Sequence, residues 1–341
     1  MNSNIALVGY TGFVGSNIAS SSQISNLYNT KNISASYDTN PDTLIYAGLR
    51  AEKYIANKYP EKDKESINIA IDNIKKINPK RVVFISTIDV YDTPVNVTED
   101  DIPNLENLLP YGINRYFLEN WIRENFNDYC ILRLPGLYGK NLKKNFIYDY
   151  LNIIPYKLTE AKFHELNSCN TGLATYYSLG NDGFYQCNSL DSLQRASLIK
   201  ILDNIGFSAL NFTDSRGIFQ YYNLANLWKD IQICINNNIK TMNIATEPIS
   251  ISELYNYLFG KPFNNEITTS PPCYNFKTKY DYLFSGSSGY ILNKEYVLAD
   301  IKNFVKHTKC YFVYVNYVVV DCINLHFFSV IRIYKFLVGY I

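Results

Sequence analysis

Tyr111 and Arg115 are the first residues of this sequence whose types and spacing suggest chemistry. They lie in PYGINRYFLEN (110–120), and a separation of four residues places both on one face of a helix. A free tyrosine has a pKa of about 10, so on the order of one in a thousand is ionised at neutral pH, and a nearby cation favours the phenolate. The pair could therefore transfer a proton. Because the chain has 31 tyrosines, Tyr111 could equally be one more aromatic residue.

Three glycines in GYTGFVG form a second chemical pattern. Gly9, Gly12 and Gly15 follow the apolar run NIALVG (4–9) and open a segment that is predicted to be helical. The first glycine would allow a tight turn, the second a close approach of the backbone to a pyrophosphate, and the third close packing of helix and strand. The N–H groups of the helix start would face the phosphates. The alternative is a glycine-rich turn that binds no ligand.

The segment that would bind the adenosine ribose lacks its usual acid. An acidic residue is expected at the end of the second strand, to bind the ribose 2′-hydroxyl of NAD. The sequence there is SNLYNTKNIS (25–34), in which Asn29 is neutral and Lys31 is positive. Lys31 could contact a 2′-phosphate, which favours NADP, or it could be a solvated loop residue.

Strand and helix signals alternate in the first half of the chain, which predicts an α/β fold with a doubly wound parallel sheet. Helices are predicted from apolar spacing and strands from short apolar runs. The predicted strands are NIALVG (4–9), DTLIYAG (42–48), KRVVFIST (80–87) and YCILRLPGLYG (129–139), and the predicted helices cover 61–79 and 114–125.

The second half is less regular. Residues 158–215 are polar and show no clear period, and 261–290 are rich in Pro, Ser and Gly, which indicates a loop. A strand followed by a helix is predicted in 219–237, and a short strand, a turn and a helix in 241–260. Ser252 is the expected N-cap of that last helix.

Composition indicates a globular chain with a sizeable core, because 47% of its 341 residues are hydrophobic and 18% charged. The net charge of +1 gives no indication of a nucleic-acid partner. The seven cysteines form no CxxC pair and the three histidines show no ligand spacing, so free thiols and no metal site are expected. The N-terminus lacks the pattern of a secretory signal, which predicts a cytoplasmic protein.

The segment 310–341 is apolar, aromatic and β-branched. It is long enough to span a membrane. Asp321 would then lie near the middle of the span, at a cost of roughly 2.5–3.5 kcal/mol. A membrane anchor is therefore disfavoured but stays open, and the alternatives are extra packed elements or an extension foreign to the fold.

Four motifs occur in one order at fitting spacings: the glycine pattern, STIDVY (86–91), YGINR (111–115) and RLPGLYG (133–139). With them, residues 4–306 resemble the extended short-chain dehydrogenase/reductases, the NAD(P)-dependent epimerase/dehydratase family. The resemblance implies a Rossmann fold with a smaller C-terminal substrate lobe. The domains are then expected to be a dinucleotide-binding domain at 1–157, a substrate-lobe insertion at 158–215, a return to the core at 216–242, a substrate lobe at 243–306 and an apolar tail at 307–341.

The resemblance also implies catalytic roles. Thr87 would hold the substrate oxygen, Tyr111 would transfer the proton, and Arg115 would stand where the family has a lysine that binds the nicotinamide ribose. Arg115 keeps the positive charge, but its planar guanidinium is bulkier than a lysine ammonium and directs its N–H donors differently. The alternatives are a local hydrogen bond for Thr87 and a surface ion pair with Glu119 for Arg115.

The expected cofactor is NAD or NADP. By resemblance, its contacts are assigned to the glycine loop, the ends of two further strands, and the catalytic helix: Gly9, Thr11, Gly12, Phe13, Val14, Gly15, Ala47, Gly48, Tyr111, Arg115 and Leu134. Substrate contacts are assigned to Asp89, Gly136, Asn145 and Arg216.

Two departures from the family narrow the expected reaction. The sugar 4,6-dehydratases carry an Asp-Glu pair where this chain has Ile88-Asp89, so dehydration is disfavoured. Gly136 stands where the family often has Asn or Thr, so a substrate contact there is lost or made by backbone.

The resulting hypothesis is an oxidoreductase or epimerase that acts on a nucleotide-activated sugar for surface polysaccharide synthesis, with a homodimer left open. The alternative is an NAD(P)-binding sensor or scaffold with little catalysis.

Overall fold

The computed structural model describes residues 4–168 and 172–308. The strands in these residues are β1 (Ile5–Val8), β2 (Asn26–Tyr28), β3 (Thr43–Tyr46), β4 (Arg81–Thr87), β5 (Tyr129–Leu134), β6 (Gly136–Tyr138), β7 (Lys157–Thr159), β8 (Tyr177–Leu179), β9 (Phe184–Cys187), β10 (Ile218–Phe219), β11 (Tyr221–Asn223), β12 (Thr241–Asn243) and β13 (Ile249–Ser250). The helices are α1 (Phe13–Ser21), α2 (Lys53–Lys58), α3 (Pro60–Ile77), α4 (Pro110–Asn125), α5 (Phe146–Leu151), α6 (Glu160–Asn167), α7 (Ser192–Asn204), α8 (Leu227–Asn236), α9 (Ile251–Phe259) and α10, which is described over 294–308.

Six parallel strands form the central sheet, in the order β12-β5-β4-β3-β1-β2. The strand order reverses at β1, since β2 pairs with one edge of it and β3 with the other. Ligands of such sheets bind at this switch point, beyond the carboxyl ends of the strands. The predicted α/β fold with a doubly wound parallel sheet, of the Rossmann type, is confirmed.

Apolar side chains alternate along the strands and form one core on each face of the sheet. Leu7, Ile45 and Val83 pack with α1 and α8 on one face. Ala6, Leu44 and Phe84 pack with α3 and α4 on the other face. This three-layer arrangement fixes the carboxyl ends of β1, β3, β4 and β5 along one edge.

Two helix starts differ from the sequence predictions. Helix α4 begins at Pro110 rather than at 114, because proline at the first helical position fits the fixed backbone angle and needs no donor. Tyr111 therefore lies in the first turn of α4. The N-cap of α9 is Ser250, whose hydroxyl accepts from the Glu253 N–H at 3.2 Å, so the prediction of Ser252 was wrong.

The described residues divide into two compact units. The first comprises 4–148 and 211–302 and contains the central sheet, the parallel pair β6–β11 and the antiparallel pair β10–β13. The second comprises 149–168, 172–210 and 303–308. The domain boundaries drawn from the resemblance stay predictions.

The second unit has structure that the sequence patterns did not reveal. Strands β7, β9 and β8 form an antiparallel sheet in that order, and α6 and α7 pack on it. Phe163 and Tyr185 stack with ring centroids 3.7 Å apart. These strands have three or four residues each, too few for an alternating pattern to stand out.

Over residues 4–168 and 172–308, no helix is long and apolar enough to cross a membrane. The segment 310–341, on which the membrane question depends, lies outside the described residues. Within the described part of the chain, no three His, Cys, Asp or Glu residues are grouped so that they could hold a metal ion. Four cysteines are described, and all are free thiols: Cys130, Cys187, Cys234 and Cys273.

Candidate active site

The glycine loop joins β1 to α1 at the switch point. Gly9 has a φ of +92°, and a Cβ there would lie 2.4 Å from the carbonyl oxygen of Ala47 at the end of β3. A Cβ on Gly15 would lie 2.1 Å from the carbonyl oxygen of Gly9. Both positions therefore require glycine, the first for backbone conformation and the second for close packing of α1 under the loop. The roles predicted for these two glycines fit this geometry.

Helix α1 starts with its first-turn N–H groups unused by any side chain. Its N-cap is Gly12, which offers no capping side chain, and the first turn has no acidic residue. The turn comprises Phe13, Val14 and Gly15, with Thr11 exposed just before it. Free N–H groups and the positive end of the helix dipole favour an anion at this place. The residues assigned to the cofactor phosphates thus form a site that fits a pyrophosphate.

The turn after β2 has no carboxylate. The Gly9 N–H donates to the Tyr28 carbonyl at 2.7 Å, so this turn lies beside the glycine loop. The Asn29 side-chain oxygen accepts from the Lys31 N–H at 2.8 Å, and the Lys31 side chain is exposed. Lys31 is therefore the charged group that the turn offers to a ligand.

Ala47, Gly48 and Leu134 lie at the ends of the neighbouring strands. The Ala47 N–H donates to the Val8 carbonyl at 2.9 Å, which continues the pairing of β1 and β3 to the edge. Leu134 ends β5 and is buried in the core of the sheet. The structure places these three residues on the same edge as the glycine loop.

Thr87 and Tyr111 lie next to each other at the carboxyl end of β4. Thr87 is the last residue of β4, and Tyr111 is in the first turn of α4, close enough for the Thr87 hydroxyl to affect the pKa of the Tyr111 phenol. Tyr111 is buried, and its backbone N–H donates to the Asn57 side-chain oxygen at 3.0 Å. Burial raises the pKa of Tyr111, and the Asp89 carboxylate raises it further, while Arg115, Thr87 and Lys53 lower it. The phenol stays neutral at ordinary pH in this state.

Arg115 lies against the ring of Tyr111, with its guanidinium carbon 4.1 Å from the ring centroid. Nη1 donates to the Asp63 carboxylate, and Nη2 donates to the Arg50 carbonyl at 2.7 Å. The side chain is 4% exposed. The alternative pairing with Glu119 is not found, since Glu119 accepts from Arg133 at 2.6 Å and from Ser86 at 2.6 Å. The positive charge beside Tyr111 is present, but Asp63 compensates it.

A second charged cluster contacts Thr87 through Asp89. The Lys53 ammonium donates to Asp89 at 2.7 Å and to the Tyr274 hydroxyl at 3.2 Å, and Tyr274 donates to Asp89 at 2.9 Å. The Thr87 hydroxyl accepts from the Asp89 backbone N–H at 3.2 Å. Burial and then Asp89 raise the pKa of Tyr274 to about 12, against an opposing effect of Lys53.

Lys53 and Tyr274 were not singled out from the sequence. Lys53 follows Gly48 by five residues, so its place after the third strand was a usable signal. Tyr274 lies in the loop-like stretch 261–290, where no local pattern indicated a contact with residue 89.

The remaining residues assigned to the substrate are engaged elsewhere in the first unit. Asn145 donates to the Leu137 carbonyl at 2.8 Å and accepts from two N–H groups at the start of α5. Arg216 pairs with Asp214 and Glu266, both at 2.8 Å. The Gly136 N–H donates to the Gln220 carbonyl at 3.0 Å, within the pairing of β6 and β11. Their contacts with a substrate stay predictions.

Comparison with known proteins gives the fold a context. No protein-family model matches the sequence, and no curated protein matches it either. The solved structure of UDP-glucose 4-epimerase with UDP-glucose, from Thermotoga maritima, is similar to this chain with a TM-score of 0.58 and 12% identity, over 91% of this chain and 99% of that one.

Two further solved structures are similar. The dTDP-4-dehydrorhamnose reductase of Bacillus anthracis, in complex with NADP, has a TM-score of 0.57 and 16% identity, over 90% of this chain and 99% of that one. The UDP-N-acetylglucosamine 4-epimerase of Methanobrevibacter ruminantium, in complex with UDP-N-acetylmuramic acid, has a TM-score of 0.54 and 12% identity, over 89% and 97%. At these identities the likeness shows the fold, which is that of NAD(P)-dependent epimerases and reductases.

Proposed function

We propose that this chain is an NAD(P)-dependent enzyme that reduces or epimerises a nucleotide-activated sugar. The observation that carries the proposal is the proximity of Thr87 and Tyr111 at the carboxyl end of β4, on the same sheet edge as the glycine loop. The fold shared with the epimerases and the reductase supports it. A role in surface polysaccharide synthesis, a cytoplasmic location and a homodimer belong to the same proposal.

The glycine loop and the first turn of α1 would hold the pyrophosphate, because their N–H groups have no side-chain cap. Ala47 and Gly48 would line the switch point, and Lys31 would meet the adenosine ribose. NAD or NADP would supply the group that accepts or donates the hydride at a sugar carbon. Lys31 and the missing acid favour NADP.

Tyr111 would transfer the proton. In the reducing direction its hydroxyl gives a proton to the sugar carbonyl oxygen as the carbon receives the hydride, and in the reverse direction the phenolate takes the proton from the sugar hydroxyl. Thr87 would hold the same oxygen through its hydroxyl. The pKa of Tyr111 lies above its usual value in the free protein, mainly because of burial. We therefore expect the neutral phenol, the form that donates a proton, to dominate at neutral pH.

Replacement of Tyr111 by Phe tests this role. The variant is expected to lose turnover by about two to four orders of magnitude while it keeps its affinity for the cofactor. Tyr116→Phe, on the same helix, is the matched control. Both turnover with nucleotide sugars and the cofactor dissociation constant are measured. Turnover that survives in Tyr111→Phe would contradict the assignment.

A sensor or scaffold that binds NAD(P) is the second candidate. The compensation of Arg115 by Asp63 favours it, because a neutralised cation lowers the pKa of Tyr111 less than a free one. Dinucleotide binding without any change of the nicotinamide redox state, across a panel of nucleotide sugars, would support this function over the enzyme.

A further inference from the structure

We propose that Lys53 supplies the cofactor-binding ammonium that position 115 lacks, by donating to the hydroxyls of the nicotinamide ribose. This inference rests on the proposed function and deepens it. It assigns the contact to α2, after β3, rather than to the catalytic helix α4.

The N–H donors of Arg115 are bound to groups inside the protein. Its guanidinium stacks on the Tyr111 ring, pairs with Asp63 and donates to the Arg50 carbonyl. The side chain is 4% exposed. Breaking a buried pair of this kind to reach a ligand would leave the Asp63 carboxylate uncompensated, which is strongly unfavourable. Arg115 therefore acts on the Tyr111 ring and anchors α4 to α3.

Lys53 lies near the switch point and has one N–H donor that the described hydrogen bonds do not use. It is the first residue of α2, which follows β3 at the switch point. Its side chain is 43% exposed. An ammonium has three N–H donors, and among the bonds that the structure describes two are used, by Asp89 and Tyr274. The third can reach a ligand hydroxyl while the other two hold the ammonium in place.

Lys53 is also connected to the surroundings of the proton-transfer residue. Asp89 accepts from the Lys53 ammonium and donates its backbone N–H to the Thr87 hydroxyl, and Thr87 lies beside Tyr111 at the end of β4. Lys53 also lowers the pKa of Tyr111. One ammonium can thus meet the ribose and favour the phenolate, the two tasks that the resemblance assigns to a lysine on α4.

The experiment compares two kinds of ligand, with and without the nicotinamide ribose. NADP and NAD carry the nicotinamide ribose, whereas ADP lacks it, so a contact at that ribose affects only the dinucleotides. Lys53→Met is expected to weaken dinucleotide binding about tenfold and to change ADP binding by less than about twofold. Dissociation constants come from calorimetric titration. Lys58→Met is the control, because Lys58 is an exposed lysine of the same helix that lies over the Tyr54 and Tyr59 rings.

The same substitution in a second variant distinguishes loss of the Lys53 contact from the effect of the Asp89 carboxylate, which has no ammonium partner in Lys53→Met. In Asp89→Asn protein, Lys53→Met should still weaken dinucleotide binding about tenfold, because the lost contact is with the ribose. If the loss vanishes in that background, the effect belongs to the Asp89 charge and the inference is wrong. Thermal melting of each variant without ligand shows whether the fold is intact.

The pH profile of turnover gives an independent result. The groups that face the Tyr111 hydroxyl are Arg115 on α4, Asp89 after β4, and Lys53 on α2, with Asp63 and Tyr274 behind them. Because Lys53 lowers the pKa of Tyr111, its loss should shift the part of the turnover–pH curve that reports Tyr111 ionisation to higher pH.

Unchanged dinucleotide binding in Lys53→Met overturns this inference alone, whereas a wild-type protein that binds no dinucleotide overturns the proposed function itself.

Discussion

Two ion pairs flank Tyr111, and they differ in how far solvent reaches them. The side chains of Arg115 and Asp63 are 4% and 10% exposed, and those of Lys53 and Asp89 are 43% and 21% exposed. A buried pair cannot change partners without leaving a charge desolvated, while a half-exposed pair can. The same kinds of charge therefore serve two purposes: the first pair fixes the helix that carries Tyr111, and the second stays open to a ligand.

The surroundings of the two pairs support this difference. Asp63 also accepts from the Asn114 side chain at 2.8 Å, so its pair is tied into α3 and α4. The second pair is completed by Tyr274, whose ring stacks on Phe219 with centroids 5.6 Å apart. Tyr274 and Phe219 come from residues distant in sequence from Lys53. A change in the second pair is therefore expected to alter ligand binding more than stability.

The largest expected effect is on stability, at the buried pair. Asp63→Ala leaves the Arg115 guanidinium buried without its carboxylate and is expected to lower the free energy of unfolding by about 3–5 kcal/mol. Lys53→Met, at the half-exposed pair, is expected to lower it by less than about 1 kcal/mol. Urea unfolding followed by circular dichroism measures both.

Asp42→Ala is the control for the removal of a carboxylate. Asp42 pairs with Lys80 at the surface, with side chains 43% and 75% exposed, and its loss should lower the free energy of unfolding far less than Asp63→Ala does. Equal losses in Asp63→Ala and Lys53→Met would remove the distinction between the two pairs.

A smaller effect is expected at high pH, at the second pair. The pKa of Tyr274 is raised to about 12 by burial and Asp89, from about 10 in an unfolded chain. A raised folded-state pKa contributes stability that is complete below about pH 10 and is lost as the pH rises through about 12. Tyr274→Phe should therefore lose less stability over this window than the wild type, by on the order of 1–2 kcal/mol.

The measurement is the free energy of unfolding of both proteins at several pH values between about 9 and 12. Because several other buried tyrosines also have raised pKa values, only the difference between the two proteins reports on Tyr274. Parallel pH curves for Tyr274→Phe and wild type would show that burial and Asp89 do not hold the phenol of Tyr274 in its neutral form.

The sequence predicted the elements with strong local signals. The glycine pattern located the β1–α1 loop, and the apolar runs located β3, β4 and β5, because buried parallel strands are short and continuously apolar. It also brought Thr87 and Tyr111 into one hypothesis, and the structure places Tyr111 beside Thr87 at the end of β4.

The rest depended on contacts between residues far apart in the chain. Arg115 meets Asp63 from another helix, and Lys53 meets Tyr274 across more than two hundred residues. No spacing rule predicts such pairs, so the alternative considered for Arg115 was a pair with Glu119 on its own helix. The three-stranded sheet β7-β9-β8 was missed because each strand is too short for a periodic signal.

The most direct test of the account is the redox response of bound nicotinamide to nucleotide sugars. Purified wild type and Tyr111→Phe are loaded with NAD or NADP in oxidised and reduced form, mixed with UDP- and dTDP-linked sugars, and followed by near-ultraviolet absorbance in a single turnover. We expect an absorbance change in the wild type that is about two to four orders of magnitude slower in Tyr111→Phe. An equal rate in the variant, or a wild type that binds the dinucleotide and shows no change with any sugar, would contradict it.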